Sequence, residues 1–355
     1  MKRIAVVILN WNTRDYLREF LPPLLRSIKG HDAEVIVADN ASTDGSVEML
    51  EREFPEVFTI ALNKNYGFTG GYNRAFSRIM ECKDAPEYLV LLNTDVLVGE
   101  HWLEPLYDFM DSHEDCAVCG PKILALEKSG ASWKRSRQFE YAGAAGGYLD
   151  RFGFPFCRGR VMSSTEEDIG QYDPDPCRVF WISGACMMTR SSVWTKLGGL
   201  DESFFAHMEE IDYCWRAALD GHSVFAVPQS SVWHIGGGTL SRESALKLKL
   251  NYRNSLLMLE KNLEASIGRK KGESLLKRRI SIDNLTKLIF ILTGRKDSAE
   301  AVRAAHLEYS EMHRNIRKSA PGTSPEGWFR TSIILQYALR GKRIFKYIRK
   351  HENRH

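Results

Sequence analysis

The first hundred residues alternate between two kinds of apolar pattern. Residues 4–9 are an unbroken aliphatic, β-branched run, the mark of a strand covered on both faces. A polar turn follows, then an amphipathic stretch over residues 15–28. Residues 34–38 read as a second short strand. Residues 43–52 read as a helix with a Ser/Thr/Asp/Gly-rich entry. Residues 58–61 are a third strand, residues 70–80 a helix after a glycine-rich turn, and residues 88–92 a fourth strand. This alternation predicts an α/β fold with a mostly parallel sheet and flanking helices. From residue 129 to 176 the pattern dissolves into glycine, aromatic and acidic residues, and order resumes at residue 179. Past residue 241 the chain reads as helices only. The predicted organisation is an α/β domain over residues 1–242 and a basic helical region over residues 243–355.

Charge sharpens that division. The chain has a net charge of +4, but residues 242–355 carry 26 Lys and Arg against 11 Asp and Glu. Residues 1–241 are acidic, so the two parts have different partners. The last segment places Ile334, Ala338, Gly341, Phe345 and Ile348 at helical spacing, widened by Leu335 and Ile344. Arg340, Lys342, Arg343, Lys346, Arg349 and Lys350 fill the rest. Such a helix either lies on an anionic membrane face or packs its apolar stripe on the catalytic domain. No apolar run approaches the ~20 residues that a bilayer requires. Met1-Lys2-Arg3 and the apolar run after it imitate a secretory leader, but no small-residue cleavage site follows. The expected location is cytoplasmic, with possible peripheral contact at the inner membrane face. Seven scattered cysteines are not a disulfide framework. Cys116 and Cys119 read as buried structural thiols.

In a parallel α/β sheet, ligands bind beyond the carboxyl ends of the strands. After the first strand come Asn10, Trp11 and Asn12, and after the second the loop from Asp39 to Ser46. After the third come Asn63, Asn65 and Gly67, running through Gly70 to Asn73. After the fourth come Asn93, Thr94 and Asp95. Four polar loops in succession point to one shared crevice. Asp39 can accept from a pyrimidine imide N–H or cap a helix. Asp95 can hold a hard divalent cation or be a turn residue. Glu209, Glu210 and Asp212 crowd a helix start behind Phe204-Phe205. The helix dipole alone favours acids there, yet apolar neighbours also raise a carboxylate's pKa and make a general base. His234 stands between Trp233 and Ile235, a metal ligand or a packed histidine.

These segments together carry a resemblance. VVILNWN, VADNASTDGS, NKNYGFTGGYNRA, LLNTDV, WISGACMMTR, GGLDESFFAHMEEIDYCWRA and VWHIGGGT run in order from Val6 to Thr239. The sequence resembles the family 2 glycosyltransferases, inverting enzymes of the GT-A fold that use nucleotide sugars. It is most similar to the rhamnosyl- and galactofuranosyltransferase-like members that build bacterial surface polysaccharides. The resemblance implies that Asp39 holds the nucleotide base beside the Asn10-Trp11 backbone, and that Asn65, Gly70 and Asn73 line the donor pocket. Asn93-Thr94-Asp95 matches the metal motif, with Asp95 as its last carboxylate, and His234 completes a Mn²⁺ or Mg²⁺ site. Glu210 matches the catalytic base, with Glu209 and Asp212 beside it. Two positions depart from the family: Asn93 replaces a common Asp, and Glu210 stands where Asp is commoner. The implied partners are a nucleotide-sugar donor, UDP- or dTDP-linked, and a glycan or lipid-linked acceptor.

Three other readings compete. A sugar nucleotidyltransferase carries a glycine-rich, cationic phosphate loop after the first strand, where this chain has Asn10-Trp11-Asn12-Thr13. A nucleic-acid-binding role for the basic region lacks interleaved stacking residues. A catalytically dead scaffold does not account for Asp95, Glu210 and His234 all being present.

Overall fold

The computed structural model describes residues 2–130, 132–141, 143–236 and 245–352. The elements of the first part follow the predicted alternation: β1 (Ile4–Asn10), α1 (Arg14–Ser27), β2 (Ala33–Asp39), α2 (Ser46–Glu53), β3 (Phe58–Ala61), α3 (Gly67–Met80), β4 (Tyr88–Asn93), β5 (Val96–Val98) and α4 (Glu104–Ser112). α3 starts three residues earlier than its sequence suggested, so the glycine-rich turn is its first helical turn. After α4 come β6 (Cys116–Ser129), β7 (Ser132–Phe139), β8 (Gly147–Leu149), β9 (Pro155–Cys157), β10 (Arg160–Val161), β11 (Ser164–Thr165), β12 (Cys177–Arg178), β13 (Cys186–Arg190), α5 (Ser191–Leu197), α6 (Glu209–Leu219) and β14 (Ser223–His234).

The central sheet runs β12-β14-β6-β13-β4-β1-β2-β3, with β5 beside β14 and β7 beside β6. β1 pairs in parallel with both β2 and β4, and β2 with β3. β13 is antiparallel to β4 and β6, and β14 runs parallel to β6. Both faces are covered, which explains the continuous apolar runs. Ile4, Val6 and Ile8 face Leu17, Leu21 and Leu24 of α1 and Leu106 and Met110 of α4 in one core cluster. Ala5 and Val7 join Tyr72, Ala75 and Phe76 of α3 in the other. Cys116 and Cys119 are fully buried, and burial pushes both thiols well up.

The stretch from 129 to 176 is not patternless, which corrects the sequence expectation. It contains β7 and a separate four-stranded antiparallel sheet, β8 to β11. Those strands are two or three residues long, too short for any periodicity to register. Lys122 anchors the segment through ion pairs to Asp168 at 2.8 Å and Asp173 at 3.0 Å.

The C-terminal part holds α7 (Ala245–Ile267), α8 (Arg269–Leu292), α9 (Lys296–Met312), α10 (Ile333–Arg340) and α11 (Ile344–His351). The proposed boundary at 242/243 lies outside the described residues. Leu256, Leu257, Leu259 and Leu263 of α7 belong to the same core cluster as the α3 face of the sheet. The final amphipathic segment is two helices, broken at Gly341–Arg343. Ile344, Phe345 and Ile348 are buried in that same cluster, so this half of the stripe packs on the protein. Leu335 and Leu339 of α10 stay exposed. No helix among the described residues is long and apolar enough to cross a membrane.

The contrast between the two halves is measurable. Ile348→Ala is expected to cost about 2–5 kcal/mol, as deletion of a buried aliphatic side chain does. Leu339→Ala, at an exposed position, is expected to stay within about 0.5 kcal/mol. Urea unfolding of the two variants checks this, and equal midpoints would contradict the packing of α11.

Candidate active site

Parallel pairing brings the loops predicted from the sequence to one edge. Asn10 ends β1 directly opposite Asp39 at the end of β2, and Leu9 faces Asn93 at the end of β4. Asp39 is buried: Oδ2 accepts from Asn10 Nδ2 at 2.6 Å and Oδ1 from the Ser42 N–H at 2.8 Å. It caps no helix, since α2 begins after Gly45. Thr13 Oγ1 donates to Asn10 Oδ1 at 2.6 Å and is hydrogen-bonded to the Thr94 hydroxyl at 3.0 Å, tying the first loop to the fourth. Trp11 stands exposed beside them.

The third loop is shaped by asparagines. Asn40 donates to Asn65 Oδ1 and to the Gly67 carbonyl, both at 3.0 Å, and Asn65 accepts from the Gly67 N–H at 2.8 Å. Together they fix the start of α3, with Gly70 in its first turn. Asn73 is placed differently from its predicted pocket-lining role. Its amide is bonded to the main chain of Leu200, donating at 2.7 Å and accepting at 2.9 Å. It ties α3 to the segment that leads into α6.

Asp95 and His234 meet although 139 residues separate them. β14 pairs with β5 so that His234 lies opposite Val96. His234 Nε2 is 3.1 Å from Asp95 Oδ1 and 3.4 Å from the Asn93 amide, and Nδ1 is 3.7 Å from Glu140 Oε2. All three of Asp95, Glu140 and His234 are buried. Burial pushes the imidazole pKa down, but the two carboxylates outweigh it and lift it to about 10. This donor set fits a hard divalent cation. A carboxylate oxygen and an imidazole nitrogen converge, and a second carboxylate behind the ring can accept from the other nitrogen and fix the tautomer. No group of three or more acidic, His or Cys residues that could hold a metal ion occurs among the described residues. Glu140 is absent from the sequence reading because it follows β7 in the stretch without pattern. Gly237, Gly238 and Thr239 of the histidine motif lie outside the described residues.

The acids of α6 occupy three environments. Asp212 is fully buried and ion-paired, to Arg216 at 2.7 Å and Lys261 at 3.0 Å, and accepts from Asn262 at 2.8 Å. Burial would push its pKa up, but Lys261 and Arg216 hold it below its ordinary value. Asp212 is therefore a clamp between α6 and α7 and cannot serve as the base, which removes it from the catalytic candidates. Glu209 is buried, and burial with the neighbouring Glu210 charge raises its pKa well above the usual range. Glu210 is partly exposed. Burial raises it to about 7, against the pull of the Glu210 and Ile211 N–H groups at the helix start. Its Oε2 has no hydrogen-bond partner among the described residues. A Cβ on Gly184 would sit 3.0 Å from the Phe68 ring and 3.8 Å from Glu210 Cβ, so Glu210 stands close to the first turn of α3. A cavity of about 480 Å³ lies elsewhere, lined by Arg158, Tyr172, Cys177, Arg178 and Glu352. It contains none of these groups.

Residues 5–169 match the family described as Glycosyl transferase family 2. N-acetylglucosaminyl-diphospho-decaprenol L-rhamnosyltransferase of Mycobacterium tuberculosis is 25% identical over 262 residues, 72% of this chain and 83% of the relative. Low-salt glycan biosynthesis hexosyltransferase Agl10 of Haloferax volcanii is 25% identical over 274 residues, 75% of this chain and 78% of the relative. In fold, the chain is similar to GalNAc-T7 solved with UDP, GalNAc and Mn²⁺, with a TM-score of 0.54 and 16% identity. That likeness covers 74% of this chain and about half, 48%, of the other. It is also similar to the mannosyltransferase PcManGT of Pyrobaculum calidifontis solved with GDP-Man and Mn²⁺, at a TM-score of 0.52 and 11% identity over 87% of each chain. The fold is that of the GT-A glycosyltransferases, and the family match with the named relatives makes the protein a glycosyltransferase. Within that class, residues 5–169 match glycosyltransferase family 2.

The clamp role of Asp212 carries a pH signature. Its folded pKa is lowered, so its stabilisation is complete above the unfolded value of ~3.9 and is lost as pH falls through the folded one. Asp212→Asn removes the Arg216 pair and one of the two acids on buried Lys261, the other being Asp201 at 2.6 Å, and is expected to cost about 3 kcal/mol at pH 7, the low end for a broken buried pair. Chemical denaturation should show this difference at pH 7 and a smaller one at pH 3. A difference independent of pH would contradict the ion-pair account.

Proposed function

We propose that the protein transfers a sugar from a nucleoside-diphosphate sugar, UDP- or dTDP-linked, to a hydroxyl of a glycan or lipid-linked glycan acceptor. The transfer would invert the anomeric centre and serve surface polysaccharide synthesis. The observation that carries this reading is Glu210: a partly exposed residue whose carboxyl has a buried oxygen, Oε2, with no hydrogen-bond partner among the described residues, held near neutral pKa beside the first turn of α3. An acceptor hydroxyl must lose its proton as it attacks, and a carboxylate poised near the operating pH is suited to take it. Asp39 and Asn10 would receive the nucleotide base, with Trp11 beside them. Asn65 and Gly70 would flank the donor at the start of α3, and Asn93 and Thr94 would border the diphosphate. Asp95 and His234 would hold Mn²⁺ or Mg²⁺, which when bound neutralises the charge of a leaving nucleoside diphosphate. The lipid-linked acceptor in the name of the mycobacterial relative supports the acceptor class.

Donor hydrolysis against a panel of UDP-, dTDP- and GDP-sugars tests the reading. Glu210→Gln is expected to lower turnover by about 10²-fold or more while nucleotide binding persists. Wild-type turnover should fall on the acid side of pH 7, where Glu210 is protonated, and Asp95→Ala should lose its response to added Mn²⁺. Wild-type turnover by Glu210→Gln, with Glu209→Gln inactive, would move the base to Glu209.

A peripheral contact with an anionic membrane also belongs to this proposal, on a different surface from the predicted one. Leu285, Leu288, Ile289 and Leu292 form an i, i+3, i+4, i+7 stripe at the end of α8 and are 49–76% exposed. Lys287, Arg295 and Lys296 adjoin them in the region of excess positive charge. Apolar residues rimmed by cations suit an interface with anionic lipid. The protein should float with phosphatidylglycerol vesicles at low salt, and Leu288→Glu with Leu292→Glu should float less. Unchanged flotation of the double variant, or none by either protein, would overturn this surface.

A further inference from the structure

The base sits at the end of a backbone segment that its own sequence does not favour. Phe205, His207 and Met208 have φ of +63°, +70° and +72°. This left-handed region favours glycine, and none of the three is glycine. Strain of this kind persists only where surrounding contacts over-determine it, and those contacts come from the C-terminal region. Asn254 of α7 is fully buried. Its Nδ2 lies 2.9 Å from the Phe204 carbonyl oxygen and 2.7 Å from those of Ala206 and His207. Its Oδ1 accepts from Arg253 Nε at 2.8 Å, which turns the amide N–H groups toward the strained segment. Arg253 also donates to the Phe204 carbonyl at 3.0 Å and pairs with Glu308 of α9 at 3.0 Å. On the opposite side, the Phe205 carbonyl accepts from the Phe68 N–H at 2.9 Å, at the start of α3. Gly67 permits this approach: its φ is +71°, and a Cβ there would lie 2.4 Å from the Phe205 ring.

We propose that Asn254 is a positioning residue for glycosyl transfer, holding the segment 204–208, with Phe205, His207 and Met208 at positive φ, in the form that sets Glu210 beside the donor loop. The C-terminal helices are then a working part of the active site. The inference rests on the reading of Glu210 as the base. It also assigns a role to a residue 44 positions further along the chain, in a region whose sequence shows only helix and charge.

Packing alone would make Asn254 matter for stability. Positioning makes it matter for turnover by folded enzyme, with donor affinity retained. The full-length protein carrying Asn254→Ala is compared with wild type in thermal midpoint, in affinity for UDP and dTDP with Mn²⁺, and in kcat and KM for hydrolysis of UDP-glucose or dTDP-L-rhamnose, whichever the wild type turns over. At a temperature where both are folded, kcat should fall by about tenfold or more, the scale of a small misplacement of a reacting group. KM and nucleotide affinity should stay within about twofold, because the donor loop is built without Asn254. Adding Met208→Gly should recover much of the lost kcat, since glycine takes the left-handed form without strain. If Asn254→Ala does not fold, Arg253→Gln should show the same kcat-only loss, at about threefold. Wild-type kcat in the folded variant, an equal loss of nucleotide affinity, or no recovery with glycine would each overturn the proposal. Glu210→Gln run alongside keeps the two ideas apart. Full turnover there refutes the base assignment itself, whereas its loss beside a fully active Asn254→Ala refutes only the positioning role.

Discussion

The parallel pairing of β1 with β2 and β4 is the constraint on which the rest of the molecule depends. Parallel neighbours require a crossover after each strand, so helices cover both faces and the middle of each central strand is apolar. The same pairing returns each strand in the same direction, so all their carboxyl ends finish on one line. Asn10, Asp39 and Asn93 are neighbours by register before any side-chain bond forms. β6 and β14 extend the parallel direction, and the β14–β5 register delivers His234 to Asp95. Charges that would be costly to bury singly are thus brought in as a set, where each carboxylate finds its partner.

The start of α6 shows how environment separates identical chemistry. Three carboxyl groups within four residues share one helix dipole. Only the one facing α7 meets cations, and it becomes a permanent anion. Glu209, turned inward without a cation, is driven toward the neutral acid. Glu210, at the boundary with solvent, is held between these limits, and that intermediate state is the useful one for moving a proton. The neighbouring residues, rather than the carboxyl group itself, decide the role.

How much of this was legible in the sequence follows from which contacts are local. The four strands and three helices of the first hundred residues were readable because each crosses a buried face with its own period. The loop residues were readable because strand ends in a parallel sheet are where ligands bind. Glu140, Asn40 and Asn254 were not. Glu140 follows β7 in a segment whose strands are too short to show a period. Asn40 lay in plain view in the second loop, and its bonds to Asn65 and Gly67 cross between loops. Asn254 looks like any polar residue on a long helix until α7 is laid against residue 206. The final amphipathic segment misled for a related reason. Helical spacing reveals an apolar stripe but not what covers it, and the interruption at Gly341 sends its two halves to different surroundings.

The packing of α11 also bears on the order in which the chain can fold. Ile344, Phe345 and Ile348 share a core cluster with Ala5 and Val7, from the opposite end of the sequence. During synthesis the rest of this cluster is made first, and it is completed only when residues 344–348 emerge. Until then the apolar surface that α11 will cover is open to solvent and to other nascent chains. Contacts of such long sequence separation close slowly. Removal of residues 344–348 therefore acts on a late step of core closure, and soluble yield is the property in which that step becomes visible.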